Sequence, residues 1–572
     1  MRLTEEQITA VDLFKQSESL KISAFAGTGK TSTLTALAKS TQKSGLYLAF
    51  NKSIASEASA KFPQTVDCRT THALALKHIR AVYQNDAKLF EQVNGNRVAG
   101  LLEIEEIAVD DVLLKPRALA YLTARAVQRF CQSGDEEIVA HHVPITGKMR
   151  QLHPKYQDEF RVYVGQLAAH LWGMMRDPLT AAPLGHDGYL KLWSLSKPAL
   201  HYDYILLDEA QDTNEAVLSV LRHQQSQLTL VGDRHQQIYE WRGAINAMAS
   251  VQTEAEAVLT RSFRFGTPVA LAATSILRVL GESRSVIGDP AKNSRVAAVG
   301  RTGTILCRTN AGVVGVVVNA LAENRKVHVV GGVAELMRML EDVQRLKSAT
   351  PAESPEFFGF ANWDELVDFA ESEEGQSLRS FVKIVNVQGE SNLIRMLKAV
   401  SKDEAGADLI VSTGHKSKGR EWDSVTLSSD FEPRVDKVNT KKLVINQEEA
   451  RLLYVAVTRA RTLLVVPPRL AERWNVDPAP AAAGAPALPK KSVKDPIATP
   501  RPALPSFAKV VNASNPAQIK PLSTDRPVSS CAIQVQESKS AATAHSEKNV
   551  SPDASSKGLL AAVVALVFGL SV

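Results

Sequence analysis

Gly27, Gly29, Lys30 and Thr31 fall inside Ala24-Phe-Ala-Gly-Thr-Gly-Lys-Thr31, a glycine-rich turn between a short apolar run and a helical pattern. Glycines in such a turn let backbone N–H groups close on phosphate oxygens. Lys30 can reach the outer phosphates, and the Thr31 hydroxyl can hold Mg²⁺. Ala24 stands where the strict pattern has its first glycine, so alone the segment also fits a tight turn without a ligand. Downstream, Leu206-Leu-Asp-Glu-Ala-Gln-Asp212 follows an apolar run. Asp208 at a strand end suits a second metal position, and Glu209 can orient or deprotonate an attacking water. Two acidic residues after an apolar strand are common, but behind a phosphate turn they point to hydrolysis.

Four further segments follow in order. Val231-Gly-Asp-Arg-His-Gln-Gln-Ile-Tyr-Glu-Trp-Arg-Gly243 interleaves Tyr239 and Trp241 with Arg242, a mixture suited to base stacking plus phosphate contact. Trp241 alone would also serve as a packing residue. Arg261-Ser-Phe-Arg264, Gly414-His-Lys-Ser-Lys-Gly-Arg-Glu-Trp422 and Glu448-Glu-Ala-Arg-Leu-Leu-Tyr-Val-Ala-Val-Thr-Arg459 each place a cation near a turn or helix start. Singly, each fits a solvated basic face. Jointly, they suit a cleft in which a cation from a second domain meets the γ-phosphate only on closure.

The elements that must position these residues alternate. Leu20-Lys-Ile-Ser-Ala-Phe, a helix from about Lys30 and Gly45-Leu-Tyr-Leu-Ala-Phe50 predict a βαβ unit, with further buried strands at Tyr204–Leu207 and Leu228–Val231. Between about Lys77 and Pro198 the pattern turns mostly helical and loses strand signals. A second α/β rhythm begins near Thr302, with Thr304-Ile-Leu-Cys-Arg and Lys326-Val-His-Val-Val330, and resumes at Ala407-Asp-Leu-Ile-Val-Ser. About Leu340 to Ala405 is helical and acidic. From about Pro478 the chain is rich in Ala, Pro, Ser and Lys, a composition that buries too little apolar surface to order itself.

At 572 residues the chain exceeds one hydrophobic core, so three or more folded units are expected. Apolar residues at 44% and charged residues at 22% fit a soluble globular protein. Cys68, Cys131, Cys307 and Cys531 form no metal-type cluster, which argues for a reducing compartment and against a disulfide scaffold. Of the net charge of +6, ten Lys/Arg against five Asp/Glu from Pro478 onward supply +5, leaving +1 for the rest. Any nucleic-acid path must therefore be local. The N-terminus lacks the apolar stretch of a signal peptide. The uncharged run Gly558–Val572 would span roughly 22 Å as a helix, short of the ~30 Å hydrocarbon layer, so a partner-docking helix or a terminal sequence without a role is preferred to a membrane anchor.

The ordered set resembles the superfamily 1 DNA helicases of the UvrD/Rep group over roughly residues 1–475. Asn51-Lys-Ser, Thr71-His-Ala-Leu-Ala and His415-Lys-Ser-Lys-Gly-Arg-Glu-Trp-Asp are closest in spelling to the F-box DNA helicase branch, although no F-box is present. The resemblance implies two RecA-like parallel-sheet motor domains with mostly helical insertions and a disordered C-terminal tail. The first motor domain is expected at 1–80 and 199–260 with its insertion at 81–198, and the second at 261–340 and 406–477 with a reduced insertion at 341–405. A disordered linker at 478–557 and the apolar segment 558–572 follow.

By position, the resemblance implies ATP and Mg²⁺ as cofactors. Gln7 would meet the adenine edge and Phe263 its face, where the more usual residue is tyrosine. Ala26, Gly27, Thr28, Gly29, Lys30, Thr31 and Ser32 would hold the phosphates, with Thr31 and Asp208 on the metal, Glu209 on the water and Glu421 near the ribose. Gln236 would sense the γ-phosphate, and Arg264 and Arg459 would be arginine fingers. Asn51, Thr71, His72, Tyr239, Trp241 and His415 would lie along single-stranded DNA.

These roles imply an ATP-dependent helicase or translocase moving 3′→5′ on single-stranded and tailed duplex DNA in repair or recombination. A recombinase or repair protein is a further expected partner. Location is expected in the cytoplasm with the nucleoid if prokaryotic, or in the nucleus if eukaryotic. The shortened gap between Arg264 and His415 keeps open a translocase that displaces recombinase or other proteins with little unwinding. An RNA-directed motor and a non-catalytic binding module fit the motif spellings less well.

Overall fold

The computed structural model describes residues 2–91, 95–109, 112–114, 116–145, 153–240, 243–350, 352, 357, 360, 362–371, 376–435, 443–474 and 476. Trp241 and the segments 478–557 and 558–572 lie outside the described residues. Two six-stranded sheets dominate, and every pairing within them is parallel. In chain order the strands are β1 (Ser19–Ala24), β2 (Gly45–Ala49), β3 (Val66–Thr70), β4 (Ile107–Val109), β5 (Val112–Leu114), β6 (Tyr204–Leu207), β7 (Gln227–Gly232) and β8 (Ala255–Leu259). Then come β9 (Arg295–Ala297), β10 (Thr304–Cys307), β11 (Val327–Val329), β12 (Leu409–Thr413), β13 (Trp422–Leu427), β14 (Arg434–Val435), β15 (Leu443–Val444) and β16 (Ala460–Val465).

The first sheet has the order β3-β2-β6-β7-β1-β8 and the second β11-β12-β10-β13-β16-β9. Central strands such as β2 and β6 are buried along their whole length, because helices cover both faces of a parallel sheet. Gly45 opens β2 because a Cβ there would sit 2.2 Å from Tyr204 Cζ. The phosphate turn follows β1, Asp208 follows β6 and Asp233 follows β7, so all three lie at the carboxyl edge where α/β sheets place ligands.

Helices Pro116–Gln132, Pro154–Arg176 and Gly185–Leu195 fill the stretch between β3 and β6. The expectation that this stretch holds no strands is corrected. β4 and β5 pair antiparallel there, where Ile-Ala-Val and Val-Leu-Leu are runs too short to stand out from the helical pattern. Between β11 and β12 lie helices Ala334–Lys347, Trp363–Glu371, Gln376–Gln388 and Glu390–Lys398. Their apolar residues share one core with the helix Asn310–Ala322 and with β11 and β12. A second cluster joins Phe25, Ala26 and Ile238 from the first lobe to helices Thr267–Val279 and Gln447–Val457 on the second sheet. The cleft between the sheets is therefore closed by apolar packing at its base.

Candidate nucleotide cleft and nucleic-acid surface

Past β1 the chain turns through Gly27 at φ +75° and Gly29 at φ +80°, left-handed values that disfavour any side chain. A Cβ on Gly27 would also lie 2.5 Å from Ser262 Oγ and 2.7 Å from Arg264 Cβ. Gly29 caps the helix Lys30–Lys39 without a side chain, which leaves the first-turn amides for an anion. Thr28 is buried, its hydroxyl donating to Phe25 O at 2.9 Å, while Thr31 is half-buried and Ser32 exposed. Ala26 is spoken for: its N–H donates to the Tyr454 hydroxyl at 3.2 Å.

Gln7 and Phe263 line the far side of this turn. A Cβ on Gly29 would stand 3.2 Å from Gln7 Nε2 and 3.3 Å from Phe263 Cε2. Gln7 is held by the cap of the helix Glu5–Gln16, where its Oε1 accepts from Thr4 N–H at 3.1 Å and its Nε2 donates to Thr33 Oγ1 at 3.1 Å. Phe263 N–H donates to Gly27 O at 2.8 Å. Both residues thus flank a space bounded by the phosphate turn.

The acidic centre is densely paired. Lys30 Nζ lies 2.6 Å from Glu209 Oε1. Lys418, from the second lobe, pairs with Asp212, donates to Gln236 O at 2.7 Å and approaches Glu209 at 3.9 Å. Asp208 Oδ2 accepts the Tyr47 hydroxyl at 2.7 Å, and its Oδ1 accepts Glu209 N–H at 2.9 Å. Burial and the adjacent Glu209 push the Asp208 carboxyl upward against Lys30 and Tyr47. Burial opposes the Glu209 charge too, yet Lys30 and then Lys418 hold its pKa down at about 2. Asp212 is raised by burial to about 6 despite Lys418. For Lys30, burial works against the charge but Glu209 and Asp208 outweigh it, so its pKa is raised. Asp208 and the Thr31 hydroxyl, which follows Lys30 at the helix start, are hard oxygen donors of the kind Mg²⁺ takes.

Across the cleft, Gln236 links the lobes. Its Nε2 donates to Asp233 Oδ2 at 2.8 Å, and its Oε1 lies 3.4 Å from Arg459 Nη2. Arg459 is only 2% exposed and also donates to Val455 O, Arg420 O and Thr458 Oγ1. Burial and then the neighbouring Arg264 lower its pKa to about 9. Arg264 donates through Nε to Glu421 Oε2 at 2.5 Å and through Nη1 to Thr458 O at 3.0 Å. Two crowded guanidiniums beside a glycine cradle fit a polyanionic ligand. The structure thus gathers Lys30, Asp208, Glu209, Gln236, Arg264, Arg459 and Glu421 around one cleft.

Behind Gln236, Glu282 is 3% exposed and accepts from Arg234 Nη2 at 2.8 Å, Arg284 N–H at 2.9 Å and Arg284 Nε at 3.0 Å, with His235 Nε2 at 3.2 Å. Burial opposes its charge, but the Arg284 and His235 hydrogen bonds hold its pKa at about 2. A carboxyl whose pKa falls on folding stabilises the fold above its ordinary value, and that contribution is lost as pH falls toward about 2. Unfolding free energy of Glu282→Gln should therefore fall less steeply than wild type between pH 4.5 and 2 in denaturant titrations; parallel slopes would contradict the assignment.

The expected strand-binding residues are only partly gathered. Tyr239 donates to His415 O at 3.2 Å, its ring stacks on Phe50 at 5.9 Å and 13°, and Lys418 stands 5.4 Å over it. Asn51 caps the helix Lys52–Lys61 through Ile54 N–H. Thr71 and His72 begin the helix Thr71–Ile79, and His72 meets Tyr189 edge-on at 5.9 Å on the helical insertion. Phe50, exposed beside Asn51, escaped the sequence reading because it closes an apolar run. Lys418 escaped it as one of several lysines in a basic loop. Tyr47 and Tyr454 escaped it because a tyrosine in an apolar element looks like core. In the helical insertion, Asp135 Oδ2 lies 3.0 Å from Nε2 of both His141 and His142. Val139 N–H donates to His142 Nδ1 at 3.0 Å, which places the proton on Nε2 and makes this a hydrogen-bonded group rather than a metal ligand set.

Family models match the chain in two blocks, the UvrD/REP helicase N-terminal domain over residues 3–255 and the UvrD-like helicase C-terminal domain over residues 188–467. F-box DNA helicase 1 of Gallus gallus is 32% identical over 505 residues, 82% of this chain and 49% of that protein. F-box DNA helicase protein 1 of Schizosaccharomyces pombe is 32% identical over 511 residues, 81% of this chain and 57% of that protein. A probable DNA helicase II homolog of Mycoplasma pneumoniae is 36% identical over 93 residues, 14% of this chain and 13% of that protein. The chain spans about half the length of the F-box DNA helicases it matches. With both helicase domains matched across the two parallel sheets that form the cleft, the chain belongs to the UvrD/Rep group of superfamily 1 helicases.

Proposed function

We propose that this chain is an ATP-driven motor that moves 3′→5′ on single-stranded DNA and opens tailed duplexes, in DNA repair or recombination. The observation that carries the reading is the contact across the cleft, where Arg459 lies 3.4 Å from Gln236 Oε1 while Lys30 and Glu209 stand on the opposite wall. When bound, Mg²⁺ held by Thr31 and Asp208 would neutralise charge on the outer phosphates. Lys30 would exchange Glu209 for phosphate oxygens, and the released, ionised Glu209 would orient and deprotonate water. Gln236, Arg264 and Arg459 would meet the charge that develops on the γ-phosphate.

Movement follows from chain continuity. Gln236 and Tyr239 lie in one loop, so a shift of the phosphate sensor displaces the ring stacked on Phe50. Phe50→Ala should weaken single-stranded DNA binding about 10- to 100-fold, the range for one stacked base. Fluorescence anisotropy at fixed salt measures this, and unchanged affinity would remove Phe50 from the strand path.

Strand separation on 3′-tailed and 5′-tailed duplexes tests the polarity: opening of the 3′-tailed substrate alone is expected, and opening of the 5′-tailed one alone would reverse it. A second reading, displacement of recombinase or other proteins with little unwinding, is favoured by the compact second insertion, whose helices share a core with the second sheet. A filament-displacement assay beside the unwinding assay separates the two. On either reading the protein works where DNA is, at the nucleoid or in the nucleus.

A further inference from the structure

Tyr454 stands in the helix Gln447–Val457 on the second lobe and is fully buried. Its hydroxyl accepts from Ala26 N–H of the phosphate turn at 3.2 Å and donates to Asp233 Oδ2 at 3.0 Å. That Asp233 oxygen also accepts from Gln236 Nε2 at 2.8 Å, and Gln236 Oε1 lies 3.4 Å from Arg459 Nη2. One unbroken path of hydrogen bonds thus runs from the phosphate turn to a candidate arginine finger, and the Tyr454 phenol ties the second lobe to the turn alongside the Phe263 N–H to Gly27 O contact. The Tyr454 ring belongs to the apolar cluster that includes Phe25 and Ala26. Packing anchors the ring, and Ala26 N–H and Asp233 Oδ2 are the hydroxyl's two hydrogen-bond partners among the described residues.

We infer that the Tyr454 hydroxyl is a positioning residue for the phosphate site, tying the phosphate turn to the second lobe and, through Asp233, fixing the orientation of Gln236 toward Arg459. The inference rests on the ATPase reading above. The geometry explains why a phenol is needed. Ala26 N–H requires an acceptor and Asp233 requires a donor, and a hydroxyl serves both at once. Phenylalanine would keep the packing but leave both buried groups short of a partner. Such a loss disfavours the closed arrangement by about 5- to 100-fold. Nucleotide binding should be spared, because Gly27, Gly29, Lys30, Gln7 and Phe263 do not depend on that hydroxyl.

The test is Tyr454→Phe in the full chain, read by thermal unfolding, by ATPase kinetics with and without single-stranded DNA, and by energy transfer between dyes on the two lobes. The expected result is a melting temperature within a few degrees of wild type, a DNA-stimulated kcat at least 10-fold lower, a KM for ATP changed less than 3-fold, and fewer molecules with closed lobes. In a Gln236→Ala background the same substitution should lower kcat less than 2-fold further, since both act through Asp233. A purely structural tyrosine would lower the melting temperature and add its full effect in both backgrounds. Wild-type kcat with an unchanged lobe distribution, or full additivity with Gln236→Ala, overturns the inference. Should Tyr454→Phe fail to fold, Asp233→Ala removes the other end of the link and must give the same split between kcat and KM. If wild type itself hydrolyses no ATP, the ATPase reading fails instead.

Discussion

Lys30→Ala is expected to lower DNA-stimulated ATP hydrolysis by about 10³-fold. The substitution removes the cation at the start of the helix Lys30–Lys39, 2.6 Å from Glu209. It acts twice. The outer phosphates lose their nearest first-lobe cation, and Glu209 is left to Lys418, which already stands 3.9 Å away, and to the Gln211 amide that donates to it. A base left to Lys418 and Gln211 has lost the partner that fixes it beside the phosphate turn. Steady-state hydrolysis with saturating single-stranded DNA measures the effect, with thermal unfolding as the control for the disturbed ion pair. Residual turnover within 10-fold of wild type would sink the motor assignment.

Arg459→Lys should cost about 10²-fold in kcat while leaving nucleotide affinity within a few-fold. The guanidinium is held by Val455 O, Arg420 O and Thr458 Oγ1, and its remaining reach is toward Gln236 Oε1 at 3.4 Å. Lysine keeps the charge but loses the planar fork, so it cannot hold those acceptors and a phosphate oxygen together. Single-turnover kinetics and nucleotide titration separate the two quantities. Loss of affinity at unchanged kcat would make Arg459 a ground-state binding residue rather than a finger.

How much of this was legible in the sequence depended on where burial was continuous. β1, β2, β6, β7, β10, β11 and β12 stand out as apolar runs because both faces of their sheets are covered. β3 and β8 did not, being edge strands with polar residues such as Asp67, Arg69 and Glu256. β13 and β16 were hidden for another reason: each directly follows residues that the cleft needs, so its own pattern is mixed. Candidate residues at strand ends and turns, such as Lys30, Asp208 and Gln236, were visible from residue type. Tyr47 and Tyr454 were not, since each acts through a partner 161 or 221 residues away. The first pairing is decided by the sheet order, which sets β2 beside β6, and the second by how the lobes pack.

The contact between Lys30 and Glu209 has a consequence for timing. On the proposed roles, the side chain that would take the triphosphate is also the one that holds the group that would cleave it. Under that proposal Glu209 would be free to activate water only once a phosphate had displaced it from Lys30, which would put recognition first and cleavage second. Such a built-in order would guard against idle turnover, with no separate lid or inhibitor needed to enforce it.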